Sequence, residues 1–449
     1  MFVASDKDAT NAGRNAKVQA MSDRETKTEG GAFVSRRRVL GTVLVPLLSA
    51  APAPASSKPP GDVPRRTPDE CGFAPAGLEE AGRLVSDAVV SGVPGAVLVI
   101  GRNGATSFQG VYGNAVQTPT EQRRAMTPDT LFDMASLTKV VAAMPALALL
   151  VQEGRVDLDT PVSRYLPSWQ PTIPARQTVT PRHLLTHTAG LPAGGAYAGK
   201  NVTLAQVVFD IARSREIADP GVRTLYSDFS AVLLGAIVES VTDMDLAHFC
   251  HERIYAPLGM NYTGFRPALP LALRCAATTP PLVGANMPPS NGTVPFDGSQ
   301  LPVPLSLGLV HDPLARALGG VSGNAGLFST ASDLARYAVL WLRNGQYGKT
   351  RLFKSETVRQ FTETQTKLGD GNRALGWDKD SAYSIRGNLP VGSYGHTGFT
   401  GTSLWLDPQT QTFVILLTNA VHGDDAARQT VIRLRRVVSS RVAGAIISK

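Results

Sequence analysis

In the stretch Leu131-Phe-Asp-Met-Ala-Ser136-Leu-Thr-Lys139-Val, a serine and a lysine stand three positions apart in mostly apolar surroundings. The run from Phe132 to about Glu153 is rich in Ala, Leu, Val and Met and stops at Gly154, which predicts a mostly buried helix. Residues three apart share a helix face, so the Lys139 amine would stand over the Ser136 hydroxyl. An ordinary lysine is charged at neutral pH and cannot take a serine proton. Burial disfavours the ammonium and lowers its pKa, which makes Lys139 a candidate general base and Ser136 a candidate nucleophile. The helix N-terminus adds free backbone N–H groups for a developing oxyanion. S-x-x-K is a weak signal alone, because the pair also arises by chance at helix starts. Lys139 is nonetheless the one lysine in the chain with a serine three residues before it.

Such a pair needs partners. Tyr226-Ser-Asp228 offers a phenol that can relay a proton and a carboxylate that can hold Lys139. Its plain alternative is a helix start, since Asp228 is also a good N-cap. Tyr112-Gly-Asn114 fits the same pattern but lies before the serine at a strand end, and chain order sets it aside. His396-Thr-Gly398 precedes a strand, with Gly401 close by, where a glycine lets a substrate approach the backbone. Alone it would read as a turn. Three weak motifs in one order reinforce each other.

Other spacings carry less. His183 and His187 have helical i, i+4 spacing, but no glutamate follows the first as in H-E-x-x-H, so a structural role is favoured. His248-Phe-Cys250-His251 reads the same way. Cys71, Cys250 and Cys275 are too few for a disulfide framework and match no zinc spacing, so neither metal nor cofactor is expected. G-x-S-x-G does not occur, which removes a nucleophile-elbow hydrolase from consideration.

The 449 residues, 43% hydrophobic and 18% charged, describe a globular chain long enough for two or three folding units. Of the formal charge of +8, residues 1–57 hold +3, and the remaining +5 gives no electrostatic ground for binding nucleic acid. Residues 1–34 are polar and charged, predicting a disordered extension. Arg36-Arg-Arg38, an apolar run to Ala51 and Ala-Pro-Ala-Pro-Ala make 35–57 an export signal, similar to the twin-arginine type. Its apolar part is short for a permanent span, so membrane contact is expected only if the signal stays uncleaved. Residues 58–70 read as a linker.

Strands are expected from Gly95 to Ile100 and Thr106 to Tyr112 around the Asn103-Gly104 turn, and again at Tyr394, Gly401 to Leu406 and Thr412 to Thr418. Helical periodicity runs from Leu78 to Val90, Val179 to Thr188, Leu204 to Ser214, Phe229 to Thr242, Ala331 to Arg343 and Asp424 to about Ala445. Residues 276–308 are rich in Pro, Gly, Asn and Ser and read as a long loop. The expected layout is one sheet domain from 71–130 and 331–449, interrupted by a mainly helical domain over 131–330.

Taken together, Ser136-x-x-Lys139, Tyr226-x-Asp228 and His396-Thr-Gly398 resemble the three signature motifs of the serine β-lactamase and penicillin-binding-protein superfamily. They are most like the class C branch with its DD-peptidase and esterase relatives. His183-Leu-Leu-Thr-His187-Thr-Ala-Gly-Leu-Pro192, Leu318 through Phe328 and Gly395 through Trp405 agree as well, so the resemblance spans about residues 75–445. It implies an α+β fold: an antiparallel sheet flanked by helices with an inserted helical domain, and the site in the cleft between them. It further implies Ser136 as nucleophile, Lys139 as general base, and Tyr226 as the group that protonates the leaving group and activates the deacylating water. Backbone N–H groups of Ser136 and Phe399 would form the oxyanion hole, with His396, Thr397 and Gly398 along the substrate and its carboxylate.

Two positions depart from the family pattern. His396 stands where a lysine is usual, which weakens the attraction for β-lactam carboxylates, and Asp228 stands for asparagine, adding a charge that tends to keep Lys139 protonated. Efficient β-lactamase action is therefore not expected. The expected function is an exported acyl-serine hydrolase acting on D-alanyl peptides of the cell wall, as a carboxypeptidase or endopeptidase, with small-ester hydrolysis and then weak class C β-lactamase action as the alternatives. A non-catalytic penicillin-binding sensor or scaffold is disfavoured, because both Ser136 and Lys139 are present.

Overall fold

Strand β1, Gly95–Arg102, is apolar at almost every position, and the fold uses both of its faces. Ala96, Leu98 and Ile100 pack with the helices Pro75–Val90 and Asp425–Gly444, whereas Val97 and Val99 join the larger core that contains the helix Met144–Gln152. A strand covered on both sides loses the usual polar alternation. The computed structural model describes residues 61–118, 120–278, 307–366, 368, 371–381 and 386–447.

The other strands, in chain order, are β2 (Ala105–Val116), β3 (Arg124–Ala125), β4 (Phe132–Asp133), β5 (Gly264–Phe265), β6 (Leu327–Ser329), β7 (Gln346–Tyr347) and β8 (Thr350–Arg351). They continue with β9 (Gly371–Arg373), β10 (Asp378–Ser381), β11 (Tyr394–Thr397), β12 (Ser403–Asp407) and β13 (Thr412–Thr418). Eight strands form one sheet in the order β3-β2-β1-β13-β12-β11-β10-β9, and each pairing in it is antiparallel. The expected antiparallel sheet flanked by helices is the fold observed. Early and late chain meet at its centre, where Ala96 pairs with Thr418 and Ile100 with Val414. Between them lie the helices Leu204–Arg213 and Asp228–Thr242 and a small sheet in the order β4-β6-β5.

Several expectations need correction. Phe132 does not begin a helix: Phe132 and Asp133 pair with Ser329 and Phe328 as β4, an interaction distant in sequence that the local apolar run hides. A 3-10 turn at Ala135–Leu137 follows, then a π-helical turn at Lys139–Ala143, and only then the α-helix Met144–Gln152. Such turns leave backbone carbonyls poorly matched, and here buried side chains take them. Tyr337 Oη donates to Val140 O, Tyr255 Oη to Val141 O and Cys250 Sγ to Ala142 O. Strand β2 runs on to Val116, and Gly401 lies in the turn before β12 with φ +115°, where a glycine is required.

The linker expected at 58–70 is not free over its described part. Arg66 N–H donates to Thr106 O, Thr106 N–H to Pro64 O, and Asp62 pairs with Arg336. The extension at 1–34, the export signal at 35–57 and most of the loop at 276–308 lie outside the described residues.

Candidate active site

The local fold brings Ser136, Lys139, Tyr226 and Asp228 together around one ammonium group. Lys139 is 3% exposed; its Nζ donates to Ser136 Oγ at 2.9 Å and to Asn324 O at 3.0 Å, and lies 2.7 Å from Asp228 Oδ1. It also hydrogen-bonds the Tyr226 hydroxyl and stands 5.1 Å from that ring's centre. Four acceptors thus surround three N–H donors. Burial alone would lower the Lys139 pKa, but the charge of Asp228 and the phenol of Tyr226 outweigh it and hold the ammonium above the ordinary lysine range. A neutral Lys139 created by burial, as the helix argument implied, is therefore corrected: the lysine is buried but paired.

Asp228 is free for this role because another residue caps its helix. Ser227 Oγ accepts the Ser230 N–H and is the N-cap of Asp228–Thr242, so the expected capping by Asp228 is replaced and its carboxylate turns to Lys139. Ser227 Oγ donates to Pro192 O at 2.5 Å and Asp228 N–H to Ala193 O at 2.7 Å, fixing the Tyr226-Ser-Asp228 segment against the chain that follows Leu191.

His187 joins the site, which sequence reasoning missed by giving it only a structural part. Its ring lies 4.7 Å from that of Tyr226, and its Nδ1 accepts the Ser227 N–H at 3.1 Å, so Nε2 carries the proton. His183 instead contacts Thr180 as part of a capping box, so the two histidines are no metal pair. Arg373, on the short polar strand β9, was also missed. Its guanidinium is fully buried, pairs with Asp378 at 3.1 Å, and stands 5.7 Å from the centre of the Tyr226 ring. Nothing in the sequence around Gly371-Asn-Arg373 marks it.

His396 lies on β11, 5% exposed, with its ring 5.9 Å from that of Tyr226. Its Nδ1 is 2.8 Å from Thr397 O and must donate to it, which leaves Nε2 as a buried lone pair without a protein partner among the described residues. Burial, then the charges of Arg373 and Lys139, push its pKa down to about 3, so His396 is neutral at physiological pH. Thr397 is half-buried at the strand end. Gly398 is required by close packing: a Cβ there would run into the Thr402 hydroxyl and stand 2.5 Å from Met134 O.

The turn after β11 is braced from beneath. Arg435 Nη2 donates to Gly398 O at 2.6 Å and Thr402 O at 2.9 Å, and burial lowers its pKa to about 10, which leaves it charged at neutral pH. Phe399, 54% exposed, lies between the His311 ring at 5.6 Å and the Arg428 guanidinium at 4.7 Å. Among the described residues, neither the Ser136 nor the Phe399 N–H donates to a protein acceptor, so both are available to a ligand. Ser136 itself follows Ala135, whose φ of +45° is left-handed and whose N–H is held by Asp133 Oδ1 at 2.8 Å.

A family model described as Beta-lactamase matches residues 82–437. An Escherichia coli (strain K12) protein named provisionally as a D-alanyl-D-alanine carboxypeptidase is 33% identical over 385 residues, covering 81% of this chain and 87% of that protein. Among solved structures, EstCE1, a hydrolase with promiscuous acyltransferase activity, superposes with TM-score 0.63 at 24% identity, covering 82% of this chain and 99% of that one. A penicillin-binding-protein homologue from Caulobacter crescentus does so with TM-score 0.61 at 20% identity, covering 82% and 97%. At these identities the two structures speak for the fold alone.

Proposed function

The chain belongs to the Beta-lactamase family, and on that premise we propose that it is a serine hydrolase cleaving D-alanyl peptides of the cell wall through an acyl-enzyme on Ser136. One observation carries the reading: Lys139 Nζ lies within hydrogen-bond distance of Ser136 Oγ while bound to both Asp228 and Tyr226. A serine beside a paired, buried ammonium and a phenol is built for proton relay rather than for packing.

In the proposed reaction, Ser136 Oγ attacks the scissile carbonyl, and the oxygen that gains charge meets the Ser136 and Phe399 N–H groups. The Ser136 proton passes to the Tyr226 oxygen as the Tyr226 hydroxyl proton passes to the leaving amine, so the phenol ends as it began. The C–N bond breaks and the acyl group stays on Oγ. Lys139, already charged, offsets negative charge on the phenol oxygen during the exchange. Water then retraces the route, giving up its proton through Tyr226 to Ser136 as the acyl bond breaks.

The neutral His396 favours a second reading, hydrolysis of small esters that lack a carboxylate, because no fixed charge stands at that position to attract one. An exported location is part of the proposal and rests on the sequence of residues 35–57. The test is intact-protein mass spectrometry with a fluorescent penicillin, a D-alanyl-D-alanine peptide and a p-nitrophenyl ester. A long-lived penicillin adduct on Ser136 with D-alanine release supports the peptidase. Ester turnover without either moves the assignment to an esterase, and no reaction with any of the three rejects both.

A further inference from the structure

The carboxyl group of Asp133 takes part in no step above, yet it is 1% exposed and bonded through both oxygens. Oδ1 accepts the Ala135 N–H at 2.8 Å and Oδ2 accepts the His311 N–H at 2.7 Å. Its backbone oxygen accepts the Thr400 hydroxyl at 2.7 Å, and the next, Met134 O, accepts the Thr402 hydroxyl at 3.1 Å. These ties run in two directions. One reaches Ala135, whose left-handed backbone is unfavourable for a residue with a Cβ, and so sets how Ser136 is presented. The other reaches the segment of Phe399, through Thr400 beside it and through His311, whose ring stacks on the Phe399 ring.

The segments that carry both proposed oxyanion-hole amides are therefore tied to one residue, Ala135 and His311 through its carboxylate and Thr400 through its backbone oxygen. We propose that Asp133 is a positioning residue of the active site, holding the Ser136 and Phe399 N–H groups at the separation a tetrahedral oxyanion needs. The inference rests on the acyl-serine reading above and goes beyond it in naming what sets the geometry.

A buried carboxylate is a costly way to close a turn, since desolvation opposes its charge. An asparagine would cost less but offers one acceptor oxygen where two N–H groups point inward. The need to hold two donors at once accounts for an acid at this position. Burial raises the Asp133 pKa to about 6; Asp312 adds to the rise, while the His311 and Ala135 N–H groups and Arg316 oppose it. The Cys275 thiol and the His311 ring also stand near it, the thiol raised to about 12 by burial and the imidazole held below its ordinary value. On protonation one oxygen becomes a hydroxyl and a poorer acceptor, so one of the two ties slackens in mild acid.

The test uses an aryl alkylphosphonate, which labels an activated serine whatever its natural substrate, with the full chain and intact-mass detection between pH 5 and pH 8. In Asp133→Asn the maximal labelling rate should fall roughly 10²-fold while the half-saturating probe concentration changes by less than about 3-fold, and the acid loss of rate should vanish. Ala135→Gly, which adopts the left-handed turn without help, should lose less of its rate between pH 7 and pH 5 than the native chain does. A folded Asp133→Asn chain with native rate and native pH profile overturns the inference. If that variant does not fold, an Ala135→Gly chain with the native acid loss overturns it instead. Labelling absent from the native chain, or persisting in Ser136→Ala, rejects the acyl-serine reading and this inference with it, an outcome distinct from the other two.

Discussion

Asp228 Oδ1 lies 2.7 Å from Lys139 Nζ, closer than the Ser136 hydroxyl at 2.9 Å, so the lysine meets Ser136 as half of an ion pair. The Asp228 side chain is one-third exposed, whereas the lysine is buried. A substrate that excludes water from Asp228 strengthens this pairing.

Asp228→Asn removes the larger of the two influences that oppose burial at Lys139 and leaves only the Tyr226 phenol against it, so the lysine pKa falls. The alkaline limb of kcat/KM should move to lower pH by at least about one unit. A pH profile from 7 to 11 checks this, and a limb that stays in place would show that Asp228 does not keep the lysine charged.

Tyr226→Phe keeps the ring that packs, tilted, against His187 and His396 and removes only the hydroxyl. Acylation and deacylation should both slow by about 10²–10⁴-fold, with the melting temperature nearly unchanged. Stopped-flow and intact-mass time courses separate the two steps. Native rates would place the relay elsewhere.

His396 predicts the acid stability. Its folded pKa of about 3 lies below the unfolded value, so the unfolded chain binds the extra proton between pH 6.5 and pH 3 and stability falls as pH drops through that window. At pH 5 this amounts to roughly 2 kcal/mol. His187, also held well below its ordinary pKa, adds in the same direction. Asp133 acts oppositely: its raised pKa withholds stability at neutral pH and returns it in acid. Urea unfolding at pH 5, 6 and 7 should show a net loss in acid that flattens in His396→Asn.

His396→Lys places a cation where the chain now has a neutral ring. Acylation by a carboxylate-bearing penicillin should rise by about 10-fold relative to acylation by an uncharged ester, with some loss of stability because Arg373 and Lys139 are near. Equal changes for both reagents would mean that residue 396 does not face the carboxylate.

Much of this site was legible in the sequence because its members carry chemistry in short motifs. Ser136, Lys139, Tyr226 and Asp228 converge on one another as their order implied, and His396 lies against Tyr226. What escaped was whatever depends on distant pairing. The start of the Ser136 helix was misread because Phe132 and Asp133 are claimed by Phe328 and Ser329, far along the chain. Arg373 sits in a polar stretch with no periodicity, and Asp133 looks like one acid in an apolar run until His311 is seen to lie on it. For Lys139 the sequence offers both opposing influences, burial that lowers its pKa and Asp228 that raises it, but not their balance, which is a matter of ångströms.

The sheet order carries a final consequence, for synthesis. Strand β1 lies beside β13, and the proposed site needs Ser136 from early in the chain and the β11 turn from late in it. A nascent chain that has passed residue 136 has made the proposed nucleophile but neither the β11 turn nor the second proposed oxyanion donor. Pairings of such high contact order form slowly and only when the late strands have been translated. Hydrolysis should thus first appear with the completed chain, and a prematurely terminated product should hold an inert serine.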